Sequence, residues 1–239
     1  DPRQHAVDRE ADIVERAEHL VVEAVEADGD PAQPGVRERL AGSIVFDLAY
    51  DIMKDERGVR IENMLAMLAS VGGQQCIAPI LAAAPPNATM EQLGLTVVKG
   101  NDGKLYFFGD PPNRLLIESQ EALLSLAFGA AQGLGAPVTM DMILEEMRVV
   151  ATRVGGSDFE TLDLPEQHKV DRPTEWVRVF TPAIVNALDF YDVPPMRRAT
   201  AIGYAIQKAM DAGKANLDPL LGAKIVLQCA ARTAKVLLN

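Results

Sequence analysis

The stretch SVGGQQCIAPILAAAP, residues 70–85, decides how the N-terminal half of this chain folds. Gly72 and Gly73 interrupt an apolar segment, as at a helix end, where glycine adopts the left-handed conformation without steric cost. Pro79 lacks a backbone N–H and is tolerated in the first turn of a helix. The stretch therefore predicts a corner between two helices, with the second helix starting near Ile77.

A polar trio, Gln74, Gln75 and Cys76, lies inside this stretch. At a corner, the two glutamine amides satisfy unpaired backbone groups at the neighbouring helix ends. In the alternative interpretation, the three side chains line a ligand pocket. We expect the corner, because it also explains the glycines and the proline.

Over most of the chain the apolar residues recur at helical spacing. The exception is residues 95–108, where two β-rich runs flank a Gly-Asn-Asp-Gly turn and predict a hairpin. The sequence therefore predicts a mainly α fold: a single bundle-like domain over residues 1–239, with about nine helices and one inserted hairpin. Helices within residues 5–84 precede the hairpin, and helices within residues 118–238 follow it.

Apolar faces and start signals place the individual elements. The first helix is predicted over residues 5–27, and the second over residues 36–54 with Ile52 on its buried face. Leu105 and Phe107 are expected to pack the hairpin onto the helices, because an isolated hairpin is marginally stable. Later helix starts are predicted at Thr139, at Thr181-Pro182 and at Asp218-Pro219.

Two segments, residues 65–79 and 123–137, share one pattern: apolar helix, small residues, glutamine, then Ala-Pro. Either a helix–corner unit is duplicated, or an Ala-, Leu- and Gly-rich composition produces the match by chance. A true repeat requires both segments to follow the same path from glutamine to proline.

Composition and charge exclude some classes of partner. Of the 239 residues, 48% are hydrophobic and 24% charged, which is typical of a soluble globular protein. The net charge of −11 repels nucleic-acid phosphates and anionic membranes, and no basic run exceeds Arg197-Arg198. We therefore expect neither nucleic acid nor a membrane as partner, and no run of about 18 apolar residues predicts a membrane span.

Cysteine usage and the N-terminus bear on the compartment. Cys76 and Cys229 lie in apolar stretches without the spacing of a zinc site, so we expect buried free thiols in a reducing environment. The chain begins at Asp1 without a signal-peptide pattern. A cytoplasmic location is expected, although a removed leader stays open because the first residue is not methionine.

A pair of carboxylates, Asp47 and Asp51, is the first candidate site. They are four residues apart and lie beside Ile44 on the helical wheel, near the buried face. Carboxylates at such an edge are costly unless they are paired or bound to a metal. Either they pair with an arginine such as Arg57 or Arg60, or they form a functional pair for Mg²⁺, Mn²⁺ or acid–base chemistry.

Two further candidates lie in polar segments. A dense turn between the second strand and an apolar helix carries Asp110, Asn113 and Arg114. These residues either close the turn and cap the next segment, or orient a small ligand. His168 lies in a polar loop, residues 163–173, and we expect it at the surface.

No phosphate-binding or nucleophile-elbow spacing is present in the sequence, so no cofactor or reaction is identified. Two functions remain. The preferred one is a protein-interaction or self-associating module, because the Ala- and Gly-rich stretches 127–136 and 199–213 allow helices to approach closely. The alternative is a metal- or small-molecule-dependent enzyme or binding protein that uses Asp47 and Asp51, together with Asp110 and Arg114.

Overall fold

The computed structural model describes residues 35–238, so the helix predicted over residues 5–27 lies outside the described part of the chain. The fold is mainly helical with one two-stranded antiparallel hairpin, which confirms the predicted fold class. The helices found in this part are α1 (Val36–Met53), α2 (Ile61–Ala82), α3 (Asp110–Leu116), α4 (Leu123–Gly133), α5 (Met140–Arg153), α6 (Pro173–Phe190), α7 (Arg198–Gly213) and α8 (Pro219–Thr233). The strands are β1 (Thr96–Lys99) and β2 (Leu105–Phe108), and short 3-10 turns cover Glu166–His168 and Pro195–Arg197.

The corner predicted within residues 70–85 is wrong, because α2 continues through it as one helix of 22 residues. Gly72, Gly73 and Pro79 all lie inside this helix. Every residue from 64 to 77 is buried, so α2 lies in the interior of the fold. Proline in a helix interior removes one backbone hydrogen bond, but tertiary burial along the whole helix outweighs that local cost.

The two glycines let neighbouring helices approach α2. A Cβ atom at Gly73 would lie 2.2 Å from Thr233 Oγ1 and 2.4 Å from the carbonyl oxygen of Ala230 in α8. A Cβ atom at Gly72 would lie 2.8 Å from a methyl group of Leu123 in α4. These glycines therefore serve close helix packing rather than a turn.

Several helices pack around α2. Its most extensive contact is with α8, and α7, α6 and the short helix α3 also pack against it. The first helix, α1, packs mainly on α7, where a Cβ atom at Gly42 would lie 2.5 Å from the carbonyl oxygen of Ala201. One cluster of buried apolar side chains includes residues from all the helices α1 to α8.

The hairpin lies at its predicted position, and β2 is buried on both faces. Phe107 packs against Ile77 and Ile80 of α2, as predicted. Tyr106, on the opposite face, packs in a second cluster with Phe159. The helical body therefore supports the hairpin from two sides.

The chain after α8 pairs with β2 from the other side. The N–H of Phe107 donates to the carbonyl oxygen of Lys235 at 2.7 Å, and Tyr106 bridges to Val236. The predicted packing of Leu105 is wrong: this side chain is 50% exposed, because it adjoins the turn at the open end of the strand.

The predicted helix starts are correct where a side chain caps a backbone N–H a few residues further along the chain. The side chains of Thr139 and Asp218 each accept a backbone N–H at the start of a helix, as predicted. The start predicted at Thr181-Pro182 is wrong, since Pro182 lies inside α6. Ile52 is 43% exposed rather than buried, because the last turn of α1 extends beyond its neighbours.

The two segments that share a sequence pattern fold differently. In residues 65–79 the Ala-Pro pair, ending at Pro79, lies within α2. In residues 123–137 the pair that ends at Pro137 follows the left-handed Gly135, beyond the end of α4. The duplicated helix–corner unit is therefore wrong, and the match reflects composition.

Within residues 35–238, α2 alone is long and apolar enough to cross a membrane by length and composition. Gly72, Gly73 and the glutamines interrupt its apolar run, so the sequence alone does not predict a span there. Of its most apolar 18-residue window, 89% is buried inside the protein. Such burial is compatible with the central helix of a soluble protein.

Candidate functional site

A cleft of about 380 Å³ opens between the turn of the hairpin and residues 156–172; we call it the hairpin cleft. A volume of about 300–1,000 Å³ is typical of small-molecule sites. The polar lining residues are Asp102, Lys104, Tyr106, Ser157, Glu160, Thr161, Lys169 and Arg172. The remaining lining residues are Gly156, Phe159, Leu162, Leu164 and Val170.

Two glycines hold the hairpin turn against the segment that follows α5. Gly155 has a φ of 71°, in the left-handed region that favours glycine. A Cβ atom at Gly155 would lie 2.5 Å from the Cα of Gly100, so the two segments meet backbone to backbone. This contact sets the position of the turn relative to the segment.

A chain of polar contacts links the two walls of the hairpin cleft. The hydroxyl of Tyr106 donates to the carboxylate of Asp102 at 2.9 Å. The ammonium group of Lys104 lies 3.6 Å from Asp102 and 3.5 Å from Glu160. Glu160 also accepts a hydrogen bond from the hydroxyl of Thr174, at the start of α6. Lys104 therefore joins the turn to residues 156–172, and the carboxylates of Asp102 and Glu160 neutralise its positive charge.

These contacts set the protonation states of two groups. Burial raises the pKa of Tyr106, and its hydrogen bond to Asp102 raises this pKa further, so the phenol stays protonated. Desolvation favours the neutral form of Asp102, but the hydrogen bonds from Tyr106 and from the Lys104 N–H outweigh it and lower the pKa of this carboxyl. At neutral pH the cleft therefore presents a neutral phenol beside an ionised carboxylate.

A buried arginine of α8, Arg232, holds residues 156–172, which form one wall of the hairpin cleft, in place. Its side chain is 1% exposed and pairs with Glu146 of α5 at 2.6 Å. It also donates to the carbonyl oxygens of Phe159, Gln228 and Thr161 at 2.8, 2.8 and 3.0 Å. A buried charge is tolerated when it is paired and hydrogen-bonded, so we call Arg232 and these bonds the arginine clamp.

Arg172 differs from the other cations of the hairpin cleft. Lys104 is neutralised by the two carboxylates described above, and Lys169 pairs with Glu166. The side chain of Arg172 makes no hydrogen bond or ion pair with any residue from 35 to 238, and it is exposed. Its guanidinium is therefore available to a solute in the cleft.

The predicted carboxylate pair lies elsewhere, on α1. Asp47 is 3.2 Å from Lys208 of α7, so its partner is a lysine rather than an arginine. Asp51 is exposed, because the last turn of α1 projects beyond its neighbours. Across the described residues, no group of three or more His, Cys, Asp or Glu side chains is arranged to hold a metal ion. A metal-dependent activity of Asp47 and Asp51 stays a prediction.

The predicted polar turn is the short helix α3. Its Asn113 accepts a hydrogen bond from the ammonium group of Lys235 at 3.0 Å. Lys235 is 6% exposed, and burial lowers its pKa. Asp110 and Arg114 are exposed on the same short helix. Asn113 therefore satisfies a buried lysine, which is a structural role.

The polar trio Gln74, Gln75 and Cys76 is buried within α2 and does not line the hairpin cleft. Neither amide atom of Gln74 has a hydrogen-bond partner in the described structure. The thiol of Cys76 donates to the carbonyl oxygen of Gly72 at 3.4 Å, and burial raises its pKa. Burial also raises the pKa of Cys229 to about 12. Both cysteines are buried free thiols, as predicted.

His168 is half-buried rather than at the surface, because its Nδ1 lies 2.7 Å from a carboxylate oxygen of Glu62 on α2. It ties the polar loop to the start of that helix. None of the residues proposed from sequence lines the hairpin cleft. The signals that were available were the Asn-Asp turn of the hairpin and the polar loop 163–173, which supply Asp102 and Arg172.

Comparison with known proteins gives no match: no family model fits the sequence, and no curated protein or solved structure is significantly similar to it. Function therefore has to be argued from the chemistry of the site.

Proposed function

We propose that the protein binds a small organic acid in the hairpin cleft. The observation that carries the proposal is the guanidinium of Arg172, which has no partner among residues 35–238, beside the apolar walls formed by residues such as Phe159 and Leu164. A guanidinium binds a carboxylate through two parallel charge-assisted hydrogen bonds, and apolar walls cover the hydrocarbon part of a ligand. A cleft of about 380 Å³ suits a ligand of small-metabolite size.

The charges already in the cleft direct an anion to one position. Asp102 and Glu160 repel a carboxylate, and the ammonium group between them is neutralised by both. Repulsion of wrongly placed charge contributes to specificity as much as attraction does. A ligand acid is therefore expected to place its carboxylate on Arg172 and its apolar body against the walls.

The test compares acids with neutral molecules of the same shape. Benzoate and hexanoate are titrated against benzyl alcohol and hexanol by calorimetry and ligand-observed NMR, at low salt. We expect the acids to bind more tightly, and Arg172→Met to weaken acid binding by about tenfold or more, because a charge-assisted hydrogen bond contributes about 1.5–3 kcal/mol. Arg148→Met is the matched control, since Arg148 is an exposed arginine of α5 outside the cleft.

Three results would contradict the proposal: alcohols that bind as tightly as the acids, an Arg172→Met variant with unchanged affinity, or no binding by any of the four probes. Circular dichroism of each variant checks that lost binding does not reflect unfolding.

The outer face of α6 favours a second candidate function, self-association. Val179 is 66% exposed and Phe190 is 55% exposed. They are 11 residues apart, about three helical turns, so they lie on one face. Large exposed apolar side chains that share a face mark a contact surface. We propose that the protein forms homo-oligomers through this face.

A further inference from the structure

We infer that two copies of the chain pair antiparallel across the outer faces of their α6 helices; this inference rests on the second candidate function, self-association. The residues of this face are all exposed, and helical geometry places them opposite the buried side of α6. They are Glu175, Val179, Pro182, Asn186 and Phe190. The buried side carries Val177, Ile184 and Leu188.

Along the helix, the residues of the exposed face are spaced nearly symmetrically about the level of Ile184. A two-fold axis that lies between the two helices, at this level and perpendicular to them, places Val179 of each copy beside Phe190 of the other. The same operation brings Pro182 beside Asn186. Each copy therefore covers the most exposed apolar groups of the other, which is what a self-complementary interface requires.

Charge complementarity supports the same register. Arg178 and Asp189 lie on the same flank of the outer face, and in an antiparallel pair with two-fold symmetry equivalent flanks face each other. Arg178 of one copy therefore lies opposite Asp189 of the second copy, and this contact occurs twice. Within residues 35–238 the Arg178 side chain has no ion pair. The carboxylate of Asp189 pairs with Arg198 yet stays 52% exposed, so it can accept a further hydrogen bond.

The expected dimer is weak. With 18 residues, α6 is about 27 Å long at 1.5 Å per residue. A standard stable interface buries about 1,200–2,000 Å², more than one helix face supplies. We therefore expect a dissociation constant in the micromolar range.

Sedimentation velocity of the full chain, from about 5 to about 500 μM, tests the pairing. The dimer fraction should rise with concentration, and Val179→Glu and Phe190→Glu should each weaken dimerisation by about tenfold or more. Arg178→Asp should weaken it, and adding Asp189→Arg to the same chain should restore it, because the two charges exchange places. Met140→Glu is the control, since Met140 is 63% exposed but lies on α5. Thermal unfolding confirms that each variant is folded.

The possible outcomes distinguish self-association itself from the specific pairing of the α6 helices. A wild-type chain that stays monomeric at every concentration overturns self-association itself. A dimer that persists unchanged in Val179→Glu and Phe190→Glu leaves self-association standing and overturns the α6 pairing. Hydrogen exchange in α6 that does not slow further as concentration rises also overturns it, because a dimer formed across this helix would add protection as it forms.

Discussion

Around the centre of α2 the interior is built from apolar and small side chains, whereas beside the hairpin cleft it is built from charges and hydrogen bonds. At Gly73 the carbonyl oxygen of Ala230 lies 2.4 Å from the position that a Cβ atom would take. Arg232 makes four hydrogen bonds, and two of them hold the carbonyl oxygens of Phe159 and Thr161 in a segment with little regular secondary structure. Stability in the first region depends on shape, and in the second on polar partners. The first should therefore respond to added volume and the second to lost hydrogen bonds.

The same difference explains where a ligand site occurs. Helices that interlock through glycine and alanine fill the space between them. The arginine clamp fixes its segment through backbone oxygens, without filling the space beside that segment with side chains. The hairpin cleft therefore remains open beside it. Both regions are ordered, but one of them leaves room for a solute.

The largest expected effect comes from breaking the arginine clamp. Arg232→Met leaves Glu146 and three carbonyl oxygens without this partner, so we expect a loss of about 3–5 kcal/mol in the free energy of unfolding. Arg148→Met is the matched control, because Arg148 pairs with Glu145 at 3.2 Å at an exposed site. That pair should contribute about 0.5 kcal/mol or less. Urea unfolding of both variants makes the measurement, and equal losses would refute the clamp.

The next largest effect tests close packing, with two glycines whose replacement by alanine should change stability in opposite directions. Gly73→Ala forces atoms of α8 apart, so we expect a loss of about 1–3 kcal/mol. Gly129→Ala, in α4, meets nothing within 4 Å. Alanine favours a helix over glycine, so this variant should gain about 0.5–1 kcal/mol. Denaturant unfolding gives both values, and a neutral Gly73→Ala would contradict the packing role.

Two buried glutamines extend the comparison. The side-chain amide of Gln74 has no hydrogen-bond partner in the described structure, so Gln74→Met should raise the free energy of unfolding by about 1–2 kcal/mol. Gln228 accepts the N–H of Asp163 at 2.8 Å, so Gln228→Met should lower it by about 1 kcal/mol. Thermal and urea unfolding measure the difference. A destabilised Gln74→Met variant would mean that the amide has a polar partner, such as a buried water.

The smallest effect concerns pH and the partly exposed Asp102. Its pKa is lowered in the folded state, so the unfolded chain binds the proton more strongly. The contribution of this carboxylate is therefore complete above its ordinary pKa of about 3.9 and is lost as pH falls through the folded-state pKa. Asp102→Asn should lose less stability than the wild type between about pH 5 and about pH 2, measured by urea unfolding. Parallel pH profiles would rule this out.

Features that depend on neighbouring residues were predictable. The hairpin and the caps at Thr139 and Asp218 follow from turn and capping residues that are satisfied within a few positions. The corner failed because glycine at a helix end and glycine at a helix crossing look the same in sequence. The hairpin cleft was missed because Lys104 and Glu160 are distant in the chain and meet only in the fold.

By itself, the sequence determined that the protein is mainly helical with one hairpin, and that its cysteines are buried, because helical periodicity and turn chemistry are written in consecutive residues. Only the tertiary structure decided that Gly73 lies inside a continuous central helix and that Arg172 has no partner in the part of the chain that the structure describes. The physical reason is that steric room and charge compensation depend on atoms from distant parts of the chain. Neither can be evaluated until those atoms are in place.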